Sequence, residues 1–262
     1  AMKIETELAQ NHFTKEMRRI PEKNYHKLRP EDLNSEVAPF EWDYYFEQVG
    51  AADIDSLNVS QIEPIKAAIN IIESESIDNL KSYLKWIVLR SSANYLSDNF
   101  INANFEFYGK TMSGSKELRP RWRRSIDAVN GALGEAVGQL YVERYFPADA
   151  KERMLTLVNN LKESLGERIT NLEWMREETK QKAHEKLNTF IVKIGYPDKW
   201  KDYSSLEVKD DSYWANMKRA SEFEYNEMID ELGKPVDKTK WHMSPQTVNA
   251  YYSPLNNEIV FP

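Results

Sequence analysis

Ser76-Ile-Asp-Asn-Leu-Lys-Ser-Tyr-Leu-Lys-Trp-Ile-Val-Leu-Arg-Ser-Ser92 reads as one helix and sets the class of the fold. Ser76 stands where an N-cap oxygen is wanted. Ile77, Leu80, Leu84, Ile87 and Val88 fall on one face at the helical period. Working outward, the same period recurs along most of the chain. Upstream, Ile4 to Met17 predicts a short first helix, and a loop holding Pro21, Pro30 and Pro39 follows. Pro30 opens a helix, since the first helical position has no use for an N–H. Phe40 to Val49 is aromatic on both sides, which predicts burial. Ile62 to Ile72 predicts another helix, with Pro64 confined to its first turn.

Downstream, Tyr95 to Tyr108 continues the pattern. Trp122 to Phe146 predicts one long helix. Its Gly131, Gly134 and Gly138 each cost about 1 kcal/mol in a helix interior relative to Ala. Close approach of another helix is the expected compensation. Asp149 to Ile169 is amphipathic. Glu173 to Phe190 predicts a helix ending before Gly195-Tyr-Pro197. Asp211 to Leu232 predicts the last one, closed by Gly233 and Pro235. No fixed-period repeat is present. The fold class read from this pattern is mainly α, an irregular multi-helix domain with a short C-terminal β-hairpin.

The hairpin is the exception to the helical period. Val248, Ala250 and Tyr252 alternate with Asn249 and Tyr251. Ser253 to Asn257 is a turn, and Ile259 to Phe261 is a β-branched and aromatic return strand. About three strands or a covering helix are needed for a hairpin to persist in water. Both strands are therefore expected to lack sheet partners here, and the chain reads as a piece of a larger protein. Unpaired edges of this composition predict weak self-association through the hairpin.

Composition narrows the function. Of 262 residues 29% are charged and only 9 are Gly, which suits a helical protein. The 14 Tyr, 10 Phe and 7 Trp argue against disorder. A net charge of −7 argues against nucleic acid as a partner, because phosphate binding needs a basic face. The four arginines between Arg119 and Arg124 read as a solvated helix start. The chain has no cysteine, which removes disulfides, thiolate nucleophiles and Cys-ligated zinc. No apolar run approaches the ~18 residues of a membrane span. His12, His26, His184 and His242 show no i, i+4 pair, and H-E-x-x-H is absent, so no metal ligand is assigned. Phosphate-loop and nucleophile-elbow motifs are absent too.

Asn249 is the remaining candidate. A sheet edge can hold an extended peptide as an added strand, whatever its sequence. An Asn side chain brings one carbonyl acceptor and two N–H donors, enough to pair with a peptide group. Spacing alone equally allows Asn249 to satisfy only a turn or strand end.

Val248-Asn-Ala-Tyr-Tyr-Ser-Pro-Leu-Asn-Asn-Glu-Ile-Val-Phe-Pro262 resembles the segment just upstream of the H-E-x-x-H helix in neprilysin-like zinc endopeptidases, here a bacterial member. Further similar segments keep family order from about Asn24-Tyr-His26 onward. They include Pro120-Arg-Trp-Arg-Arg124, Ala132-Leu-Gly134, Gly138-Gln-Leu-Tyr-Val142, Trp174-Met-Arg-Glu-Glu-Thr-Lys180, Glu185-Lys186 and Ile194-Gly-Tyr-Pro197. The resemblance implies a helical, non-catalytic, cavity-forming domain over 1–240. Residues 241–262 would then be the linker and first hairpin of a catalytic domain. It implies a metalloendopeptidase in which Asn249 and the Ala250 carbonyl grip substrate backbone. The cofactor would be zinc, bound elsewhere in the parent enzyme, so this segment alone would be inactive. The implied partners are peptide substrates and the catalytic domain of the same protein. The resemblance favours an extracytoplasmic place, in the periplasm or cell envelope, and the residues themselves leave the cytoplasm open. A helical protein-interaction module with a docking strand is the alternative.

Overall fold

The computed structural model describes residues 1–262 and is 59% helical, so the mainly α class holds. In chain order the elements are α1 (Met2–Gln10), β1 (Lys27–Leu28), α2 (Pro30–Glu36), α3 (Trp42–Gln48) and β2 (Leu57–Asn58). Next come α4 (Ile62–Ser74), α5 (Ile77–Ser92) and α6 (Asp98–Asn104), which runs into a π-helical stretch, Phe105–Met112. Then follow α7 (Arg121–Ala132), α8 (Gly134–Tyr145), α9 (Ala148–Thr170), α10 (Glu177–Asn188) and β3 (Ile191–Ile194). The last are α11 (Tyr213–Asp230), β4 (Tyr251–Ser253) and β5 (Glu258–Phe261).

These elements form two compact units. The first comprises Ala1–Leu118 and Lys209–Pro235, the second Arg119–Val208 and Val236–Pro262. In the first, Leu33, Val37, Trp42, Phe46, Ala51, Val59 and Ile69 form one apolar cluster. Aromatic density around α3 makes it: the Phe40 and Trp42 rings lie 4.7 Å apart, and Trp42 also meets Tyr45 and Phe46. The buried Trp42 indole N–H donates to the Val37 carbonyl at 3.1 Å, so its one polar group is satisfied. Local chemistry sets the helix starts. Pro30 occupies the first position of α2, and Asp32 accepts the Arg29 N–H at 3.1 Å. Ser76 Oγ accepts the Asn79 N–H ahead of α5. Gly233 takes φ +72 after α11, the left-handed stop that glycine supplies.

The second unit has few buried apolar residues: Val158 on α9, Ile194 on β3, Val260 on β5, and Pro197 and Pro245 in the connecting chain. It is held instead by a three-stranded sheet in the order β3-β5-β4. β5 runs parallel to β3, pairing Ile191 with Glu258 and Ile194 with Phe261, and antiparallel to β4.

Several expectations are corrected. The long helix over Trp122 to Phe146 is two helices, because Leu133 leaves helical geometry at φ −132, ψ 35. The first helix stops at Gln10 rather than Met17. The incoming strand of the hairpin starts at Tyr251, so Val248 to Ala250 precede it as irregular chain. The return strand does not lack a partner: β3, unforeseen in the sequence, supplies one. The close approach at Gly134 and Gly138 comes from the turn around Pro245, not from a helix, and Gly131 faces open space.

Much apolar surface stays uncovered. The accessible area is 19064 Å². Even two separate compact bodies of half the chain's mass would expose only about 14,000 Å² between them by area scaling. The excess includes helix faces that amphipathy marked for burial, such as Leu84 and Val88 on α5 and Leu157, Leu161 and Leu165 on α9. No helix is long and apolar enough to cross a membrane.

Candidate functional site

The candidate site is the β4 edge of the second unit's sheet. β5 lies between β3 and β4, so β4 has one paired side and one open side. An open side presents backbone N–H and C=O groups that another strand can use. Asn249 and Ala250 are exposed and lead directly into β4. The Asn249 Oδ1 accepts the Ala250 N–H at 2.8 Å, and the Asn249 N–H donates to the Thr247 carbonyl at 3.0 Å. Both candidate residues thus lie together, at the mouth of the edge, in a local turn.

The sheet behind this edge is pinned from three directions. Asn257 closes the hairpin at φ 51, a left-handed value Asn tolerates. Its amide donates to the Lys186 carbonyl at 2.8 Å and to Thr189 Oγ1 at 3.0 Å, tying the turn to the end of α10. The Tyr252 hydroxyl donates to Asn257 Oδ1 at 3.1 Å, and its ring sits 6.0 Å from that of Phe190. The Tyr251 hydroxyl accepts the His242 N–H at 3.3 Å. Burial raises the pKa of that hydroxyl, and the His242 bond opposes the rise.

Beneath the strands lies a buried ion pair. Lys193 Nζ of β3 is 2.8 Å from Glu258 Oε2 of β5, with Glu258 fully buried and Lys193 nearly so. Lys193 also donates to the Lys240 carbonyl at 2.7 Å, anchoring the chain that leads to the edge. Sequence reasoning missed this pair. The one available signal was Ile191-Val-Lys-Ile194, a β-branched run with a single charge facing the other way from its neighbours.

The histidines do not converge. His26 Nδ1 lies 3.1 Å from the Val59 carbonyl, and His184 Nε2 lies 3.1 Å from Thr170 Oγ1. His242 neighbours the Tyr251 ring. No three His, Asp or Glu side chains lie close enough together to hold a metal ion, so the residues present do not fit a zinc site.

Comparison with known proteins gives this geometry a setting. Neprilysin-11 of Caenorhabditis elegans is 31% identical over 274 residues, covering 99% of this chain and 32% of the relative. An endothelin-converting enzyme homolog of Locusta migratoria is 30% identical, covering all of this chain and 38% of the relative. Among solved structures, the Mycobacterium tuberculosis zinc metalloprotease Zmp1 in complex with inhibitor superposes with TM-score 0.90 at 38% identity. That match covers 100% of this chain and 40% of Zmp1. PepO of Lactobacillus rhamnosis superposes with TM-score 0.87 at 25% identity, over 100% of this chain and 42% of PepO. The chain therefore spans well under half the length of the proteins it matches. The family model for peptidase family M13, in its N-terminal part, matches residues 1–197. The chain belongs to peptidase family M13.

Proposed function

We propose that this chain is the helical, non-catalytic part of a zinc-dependent metalloendopeptidase that hydrolyses peptides, and that its hairpin edge holds the substrate backbone. The observation that carries the reading is the open side of β4, with Asn249 and Ala250 exposed directly ahead of it. An extended peptide can add to that side as a further strand, hydrogen-bonding through main-chain groups. Asn249 then exchanges its bond to the Ala250 N–H for bonds to a substrate peptide group, which its carbonyl and amide can pair on both sides. The Ala250 carbonyl accepts a substrate N–H. Residues 1–240 form the cavity wall, which admits peptides and excludes folded proteins. Residues 241–262 are the linker and hairpin that join it to the zinc-bearing domain. The zinc has no ligand set in this chain, so no step passes through a metal held here. The reading places the enzyme outside the cytoplasm, as the resemblance implies.

The test uses the pure chain and a quenched peptide. The chain alone should show no chelator-sensitive cleavage, while unlabelled extended peptide should shift the backbone amide signals of Asn249 and Ala250. Chelator-sensitive cleavage by the chain alone would overturn the reading.

One observation favours a second reading, a helical protein-interaction module with a docking strand. Leu157, Leu161 and Leu165 form an exposed apolar stripe along α9. That module would dock a folded partner on the hairpin strand and the stripe together, and short peptides would leave Asn249 and Ala250 unmoved.

A further inference from the structure

We propose that Gly134 and Gly138 of α8 form a socket for the turn Ser244-Pro245-Gln246, and that this socket positions Asn249 and Ala250. The positioning claim rests on the substrate-strand reading above; the socket itself rests on geometry alone. Gly134 and Gly138, one helical turn apart, are both buried, and so is Pro245. A Cβ at Gly138 would lie 2.6 Å from Pro245 Cδ, 3.0 Å from its Cγ and 3.2 Å from Gln246 Oε1. A Cβ at Gly134 would lie 2.2 Å from Ser244 Oγ and 3.4 Å from Ser244 Cβ. The proline ring therefore rests on bare helix backbone, where no other residue type leaves room.

The turn is also bonded in place. Gln246 Nε2 donates to Asn130 Oδ1 on α7 and to the Gly134 carbonyl, both at 3.0 Å. It thus bridges the two helices across the break at Leu133. The Thr247 N–H donates to the Ser244 carbonyl at 2.9 Å, and the Asn249 N–H to the Thr247 carbonyl. A short bonded path leads from the socket to the candidate substrate residues. The start of α8 is fixed in turn. The Tyr203 hydroxyl accepts the Glu135 N–H at 3.2 Å, and Glu135 Oε2 accepts the Lys201 N–H at 2.8 Å.

The chemistry ranks the substitutions. Gly138→Ala meets a ring that cannot swing aside, so the turn must lift. Gly134→Ala meets a hydroxyl that can rotate, so its effect should be smaller. Gly131→Ala meets nothing within 4 Å and serves as the control. Pro245→Ala removes both clashing ring atoms, so it should restore the Gly138→Ala variant.

Hydrogen exchange on the full chain, followed by mass spectrometry, tests the socket. Gly138→Ala should speed exchange of amides over 244–250 on the order of tenfold, the signature of local rather than global opening. Amides of β3 and β5 should hold, and Pro245→Ala in the same chain should return 244–250 toward the wild-type rate. Unchanged exchange at 244–250, equal acceleration in β5, or no rescue by Pro245→Ala would overturn the socket. Kinetics of the peptidase carrying this chain test the positioning. A loosened strand pays its ordering cost equally in ground and transition states, so KM should rise about tenfold with kcat nearly unchanged. A merely less stable enzyme would instead lose apparent kcat at constant KM. Faster exchange at 244–250 with unaltered KM would leave the socket standing and overturn its positioning role, while the substrate-strand reading is decided separately by Asn249→Ala.

Discussion

The two compact units of this chain are held together by different physics. In the first, Leu33, Val37, Trp42, Phe46 and their neighbours exclude water in one apolar cluster, and the aromatic ring contacts around α3 fill it. In the second, a handful of buried apolar side chains stand beside a buried ion pair, a parallel strand pairing and a turn seated on glycines. An apolar core tolerates shape changes as long as volume is kept. A buried pair, a register and a glycine contact are specific to position. The unit that carries the candidate substrate edge is thus the one whose geometry is fixed by particular atoms.

The sharpest way to break this contrast is to remove one charge of the pair. Glu258→Ala leaves Lys193 buried without its partner and should cost about 3–5 kcal/mol, read from calorimetry or denaturant melts. Replacing both by apolar residues of similar size, Lys193→Met with Glu258→Leu, should cost far less. If the single and double changes cost the same, the pair does not organise the second unit. Leu33→Ala in the first unit should cost about 2–5 kcal/mol, the range for a large-to-small core change. Leu33→Met should cost under about 1.5 kcal/mol, since volume is nearly kept. A Leu33→Met penalty as large as that of Leu33→Ala would mean the first unit is as position-specific as the second.

The smallest effect concerns acid. Paired hydrogen bonds from Arg219 lower the carboxyl of Asp211, at the start of α11, from its ordinary 3.8 to about 2. A depressed folded pKa contributes stability that is present above 3.8 and fades as pH falls toward 2. The stability gap between the wild type and Asp211→Asn should therefore close across that window. The side-chain carbonyl signal of Asp211 should titrate closer to the ordinary value once Arg219 is replaced by Ala, with the Ser212 N–H still holding it below. A midpoint unmoved by Arg219→Ala would assign the shift to the Ser212 N–H instead.

The sequence made the helical class legible because several helices carry their own start or stop: Ser76 before α5, Pro30 in α2, Gly233 after α11. The hairpin was legible because a Pro-Asn turn followed by a β-branched and aromatic run is a short-range signal, while the alternation read over Val248 to Tyr252 fell mostly on irregular chain. What stayed hidden was long-range. Ile191 to Ile194 is four residues directly after a helix, too short a run for period to separate strand from helix end. Its partner β5 lies more than sixty residues away. The glycines of α8 announced a close approach, yet nothing local says whether a helix or a turn makes it. The break at Leu133 has no proline to mark it. The Lys193–Glu258 pair joins two charges that each read as surface until the strand pairing is known. Asn249 and Ala250 came from a resemblance at the level of motif, and the fold adds that they sit together at an open edge.

The central claim is that this edge grips peptide backbone through Asn249. The most direct measurement is kcat/KM for a peptide substrate, taken on the peptidase carrying this chain with Asn249→Ala. Lost side-chain bonds to substrate backbone should cost about 1–3 kcal/mol, a fall of roughly 5- to 150-fold, with zinc content unchanged. Wild-type kcat/KM in the Asn249→Ala enzyme would contradict the account and leave Asn249 as a residue that only closes its own turn.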